Sequence, residues 1–100
     1  MHFGEHIRNL REAKGLLQRQ LSAKLDIDTP MYSKIERGER RAKREQVNIL
    51  ADFLGAPHDE LLTIWLADQV VDIIKDEALA TRVLKAAEKE INKNTKDNKF

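Results

Sequence analysis

Residues 28–46 read DTPMYSKIERGERRAKREQ. Asp28 has a short acidic side chain able to accept from backbone N–H groups, and Thr29 and Pro30 follow at an opening turn whose N–H groups lack intrahelical partners. Gly38 then supplies a stop. The stretch predicts a short, polar-faced helix over residues 29–37. Four of the six residues after the glycine are basic: Arg40, Arg41, Lys43 and Arg44. Residues 34–44 hold six Lys/Arg against Glu36 and Glu39, a local excess of +4. Such a cluster is an electrostatic footprint suited to phosphates, and it is equally compatible with an ordinary solvated face.

Upstream, Phe3, Ile7 and Leu10 recur at spacings of four and three, predicting a first helix that stops at Gly15. Leu21 and Leu25 mark a short second helix beginning near Leu17 or Gln18. Downstream of the basic segment, Val47, Leu50, Ala51 and Leu54 sit at i, i+3, i+4 and i+7 on a fourth helix closed by Gly55 and Pro57. No segment shows sustained period-two alternation, so the fold class is all-α. The four-residue connection DIDT between two short helices is the geometry of a helix-turn-helix.

On these motifs the first 60 or so residues resemble the lambda-repressor-like, or Xre-type, helix-turn-helix family. LREAKGLLQRQL followed by SKIERGERRAKREQVNILADFLG carries the resemblance. It implies a compact five-helix DNA-binding domain over residues 1–62; periodicity and composition assign residues 63–92 to a C-terminal helical extension for dimerisation and 93–100 to a flexible tail. It also implies that Arg11 and Glu36 form an ion pair joining the first helix to the end of the third, which makes them scaffold. Gln18, at the start of the second helix, matches a glutamine that bonds a backbone phosphate. The third helix matches the recognition helix, so Thr29, Pro30, Met31, Ser33 and Lys34 are the expected base contacts in the major groove, while Tyr32 and Ile35 belong to the core. Lys34 can donate to guanine O6 or N7 or hold a phosphate, and Thr29 and Met31 can pack on a thymine methyl. Arg37, Arg40, Arg41, Lys43 and Arg44 fall where the family grips the sugar-phosphate backbone, Arg44 innermost.

Three positions depart from the family pattern. Ser22 replaces the usual alanine of the second helix. Asp26 stands where the turn favours glycine, although aspartate tolerates the left-handed conformation better than most residues. Pro30 occupies a place that often holds a polar base-reading side chain.

Projected at 100° per residue, residues 61–75 spread Leu62, Leu66, Val70, Ile73, Ile74, Ala67, Val71 and Ile64 over an arc about 200° wide, while one neighbour needs about half of that. Leu61 and Trp65 lie off the arc and pack back on the core. Part of the surplus is assigned to a twofold dimer interface centred on Leu66, Val70, Ile73 and Ile74; an enlarged monomeric core is the alternative. A further amphipathic helix is predicted over residues 77–91, and the polar NKNTKDNKF that follows reads as tail.

The 100-residue chain has no cysteine and no long apolar run, so disulfides, thiolate zinc sites and membrane spans are not expected. A cytoplasmic, soluble chain is the default. His2 and His6, four apart, lack a third metal ligand; His58 reads as a capping or surface residue; no catalytic constellation emerges. No cofactor, metal or small-molecule ligand is indicated. The expected partners are double-stranded DNA and a second copy of the chain. The expected function is that of a transcriptional regulator on a palindromic operator, possessing no catalysis and controlled through its own concentration. The alternative is a protein-interaction module or antitoxin that binds a protein through its C-terminal helices.

Overall fold

The computed structural model describes residues 2–97, with side chains described as far as Asn94. Six helices run in order: α1 (His2–Ala13), α2 (Gln18–Leu25), α3 (Thr29–Glu36), α4 (Arg44–Leu54), α5 (His58–Ile74) and α6 (Ala80–Asp97). No strand occurs among the described residues. The chain divides into two units, Met1–Val70 and Val71–Phe100.

In the first unit the local stops act as their chemistry requires. Asp28 caps α3 by accepting from the Met31 N–H at 2.7 Å through its side chain. Gly38 and Gly55, past the ends of α3 and α4, adopt φ of 77° and 67°, a region glycine enters without a Cβ penalty. Asp26 takes the same region at φ 56° in the turn between α2 and α3. That turn comprises residues 26–28, because Thr29 already belongs to α3.

The core takes one face from each of the first five helices: Phe3 and Ile7, Leu21 and Leu25, Tyr32 and Ile35, Val47, Leu50, Ala51 and Leu54, and Leu61. Each fully buried leucine or isoleucine contributes on the order of 1.5–3 kcal/mol from removal of its surface from water. Gly4 lets α1 approach the end of α3 closely, since a Cβ there would collide with the backbone carbonyls of Ile35 and Glu36. On α5, Leu61 is fully buried and Trp65 packs partly against the same core, as the periodicity predicts.

The last helix departs from expectation in extent. α6 starts at Ala80 and continues to Asp97, so residues 93–97 of the expected tail are helical. Nothing in NKNTKD interrupts the backbone ladder, because it contains neither glycine nor proline. Residues 98–100, Phe100 included, lie outside those described. Of the four residues assigned to a dimer interface, Leu66, Val70 and Ile73 are exposed, whereas Ile74 is only 9% exposed. Ile74 is therefore covered within its own chain and drops out of the available stripe. Residues 81–94 of α6 are all exposed, Val83, Leu84 and Ile91 among them.

Candidate nucleic-acid interface

Two short helices and a basic loop make the site, and each is held by polar contacts that tie it to the core. Glu36, at the end of α3, is buried and accepts three hydrogen bonds. Arg11 donates through Nε at 2.7 Å and Nη2 at 3.1 Å, and Gln18 donates through Nε2 at 3.0 Å. The third arm of Arg11, Nη1, donates to the Leu16 carbonyl at 2.9 Å. One guanidinium thereby joins α1, the loop before α2 and the end of α3. Burial alone pushes the Glu36 carboxyl up, but hydrogen bonds from Arg11 and Gln18 and the Arg11 charge overcome it and hold the group below its ordinary range. The hydrogen bond to Glu36 raises Arg11 in turn. Burial pushes the Tyr32 phenol far up, and its hydroxyl makes no hydrogen bond of good geometry although Glu36 lies close enough to act on it.

The bond to Glu36 uses one of the two amide protons of Gln18, at the N-terminus of α2, and leaves the second for another acceptor. The α2 terminus is capped from within by Gln20, whose side chain accepts from the Leu17 N–H at 2.7 Å. Leu17 has no side-chain acceptor to return the bond, so this is half of a capping box. The first N–H groups of α2 then lack a cap from the Leu17 side chain, at the helix end where an anion is favoured.

Ser22, the departure from the family's alanine, is buried and has its hydroxyl satisfied. It donates to the Arg19 carbonyl at 3.1 Å and stands 3.1 Å from Thr29 Oγ1. Because the Ser22 proton is committed to Arg19, Thr29 is the donor between the two hydroxyls. The Thr29 hydroxyl thus links α2 to α3.

Along α3, Pro30 and Lys34 are exposed, while Met31 and Ser33 are half-buried. Ser33 accepts from Arg37 Nη1 at 2.6 Å, and the same guanidinium forks onto Glu39 through Nε and Nη2. Both members of that pair are exposed. Arg40, Arg41, Lys43 and Arg44 are exposed along the segment leading into α4. The segment is pinned at its middle: Ala42 is buried, and its carbonyl accepts a 2.8 Å hydrogen bond from Trp65 Nε1. Gln46 closes the far end by accepting from the Lys43 N–H at 2.8 Å. The exposed basic residues therefore stand on an anchored backbone.

A shallow concavity of about 250 Å³ lies where α1, α2 and α3 meet, lined by Arg8, Arg11, Gln18, Ser33, Glu36 and Arg37. Sequence reasoning missed Arg8, whose position four before Glu12 reads as a plain surface ion pair; that pair is present at 3.6 Å. Two of the three histidines lie between helices. His58 lies 2.6 Å from Asp52 and 3.1 Å from the Asn48 side chain, joining the start of α5 to α4. His6 faces Glu60 at 3.7 Å. Among the described residues no group of three His, Cys, Asp or Glu has metal-site geometry, and no helix is long and apolar enough to cross a membrane.

A short α3 presented beyond α2, a pinned basic loop and a buried Arg–Glu pair under both define a helix-turn-helix DNA-binding domain. The profile of the helix-turn-helix domain family matches residues 2–63, more than half of the chain, and the protein belongs to that family. Neither the curated proteins nor the solved structures yield a significant match. Membership supports a DNA-binding regulator of a family that is typically non-enzymatic.

Proposed function

We propose that the protein is a sequence-specific, double-stranded-DNA-binding transcriptional regulator that acts as a homodimer on a palindromic operator. The observation that carries this reading is the pairing of an exposed α3 face with a basic loop whose backbone is fixed by the Trp65–Ala42 hydrogen bond. Lys34 and the neighbouring residues of α3 read base edges, while Gln18, Arg37, Arg40, Arg41, Lys43 and Arg44 hold the sugar-phosphate backbone and set the register. Bound over a promoter, the dimer excludes polymerase; bound beside one, it offers polymerase a contact. An autoregulatory controller, set by its own concentration, fits this design.

The dimer reading is supported by the α5 stripe of Leu66, Val70 and Ile73, which are 44%, 44% and 79% exposed. Their i, i+4, i+7 spacing puts three large apolar side chains on one side of one helix, and twofold pairing is the commonest way to cover such a stripe. The same stripe favours a second reading, in which the C-terminal helices bind a different protein.

Selection of bound fragments from a random duplex library at physiological salt separates the two. An enriched palindrome with half-sites about one helical turn apart is the expected result. Salt-sensitive background without enrichment transfers the functional role to the C-terminal helices.

A further inference from the structure

Arg37, one of the residues proposed to hold the DNA backbone, is clamped on both sides. Its Nη1 donates to Ser33 at 2.6 Å, one helical turn back, and its Nε and Nη2 face the two oxygens of Glu39. A guanidinium forked onto a carboxylate has the geometry it would use on a phosphate. Glu39 is held below the ordinary carboxylate range, chiefly by the hydrogen bond from Arg37 with smaller help from the charges of Arg37 and Lys34, so the anion is in place at neutral pH. The pair lies at the exit of α3 beside the concavity that Gln18 and Arg8 also line, and both partners are about half exposed.

We propose that Glu39 is an internal stand-in for a DNA phosphate: it holds Arg37 in the pose the backbone contact needs and surrenders it to the duplex by exchange of one anion for another. This rests on the DNA-binding reading above. Two consequences follow from charge alone. Free Arg37 is already neutralised, so it contributes less to association than the lysine and arginine count of the loop implies. On the duplex, Glu39 is left beside phosphates and opposes binding at every sequence. Glu39 therefore sets a ceiling on non-specific affinity, and Ser33 is a positioning residue for Arg37 as well as a groove-facing one.

The test measures binding of a fluorescent duplex pool of random sequence, about two helical turns long, across a range of NaCl concentrations around physiological ionic strength, with fold checked by circular dichroism. Glu39→Gln is expected to tighten binding by up to about eightfold near 0.1 M salt and to steepen the log K against log salt slope by about 0.9, the effect of one more net positive charge at the interface once no carboxylate offsets Arg37. In an Arg37→Ala background the same change is expected to yield less than half of that gain. An equal gain in both backgrounds would mean that Glu39 merely repels DNA, and would overturn the exchange. No gain in either would mean that the pair persists on DNA, with the same result. The Arg37 Nε–H resonance gives an independent reading: on duplex addition it should shift in the wild-type chain, and an unmoved resonance with DNA bound sinks the proposal. Failure of the underlying reading looks different, because the wild-type chain would then show no salt-dependent DNA binding at all.

Discussion

The carboxylate of Asp68 accepts a 2.8 Å hydrogen bond from the backbone N–H of Phe3, across 65 residues of chain. Phe3 lies in the first turn of α1, where N–H groups have no intrahelical acceptor, and both groups are buried. A residue of α5 thus caps α1 through tertiary contact and places a carboxylate at the positive end of its dipole.

Replacing Asp68 with alanine should cost about 1–3 kcal/mol, the penalty for a buried N–H left without a partner. Asp68→Asn keeps an acceptor at the same place and should lose only roughly 0.3–1 kcal/mol from the dipole interaction. Urea unfolding of both variants checks the order; equal losses would show that the amide cannot replace the carboxylate and that the charge is what matters.

The Arg11–Glu36 pair predicts a pH dependence of definite sign. Glu36 is held below its ordinary value of 4.5, so on acidification the unfolded state takes up its proton first. The pair's contribution is present in full at neutral pH and is lost as pH falls below about 4.5 through the folded-state value. Arg11→Ala leaves a buried carboxylate unpaired and should cost about 3–5 kcal/mol at neutral pH. The gap between wild type and variant should then narrow as the solution is acidified, because a protonated Glu36 no longer needs the guanidinium. A gap that stays constant on acidification would show that Arg11 acts through packing alone.

Lys34→Ala and Arg40→Ala test the proposed division between base reading and backbone holding. Lys34→Ala should cost about 1–3 kcal/mol at the selected operator and relax preference at one base position. Arg40→Ala should weaken binding to all sequences and reduce the salt slope by about one unit. Competition titrations with a panel of single-base operator variants distinguish the two patterns, and a uniform loss for Lys34→Ala would reassign that residue to phosphate.

Ile73→Asp tests the dimer without touching the core, since Ile73 is exposed where Ile74 is buried. Sedimentation should report monomers with helical content unchanged, and operator binding should weaken. Persistent dimers would remove the α5 stripe from the interface.

The helix boundaries of the first unit were legible because their signals are local: Asp28 caps its own helix, and Asp26, Gly38 and Gly55 turn the chain where they stand. The Arg11–Glu36 pair was legible only through family resemblance. Asp68 was not legible at all, since one carboxylate among the four of α5 carries no mark of a partner 65 residues away. The same holds for the Ser22–Thr29 hydroxyl contact and for Gln18 on Glu36, which depend on how helices cross. At the other end, polarity suggested a tail where the backbone had no reason to stop being helical. Composition reports whether a segment can be buried, and α6 has no need of burial to keep its hydrogen bonds.

Gly4 gives α3 its mounting. Because a bare α-carbon of α1 rests on the carbonyl end of α3, the tilt of that helix is set by main chain against main chain. Side chains on the outer face of α3 take no part in that contact, so Pro30, Lys34 and their neighbours can be exchanged without re-aiming the helix. On the function proposed above, the fold therefore separates where the protein points from what it recognises, and new operator preferences would be open to it one outward residue at a time.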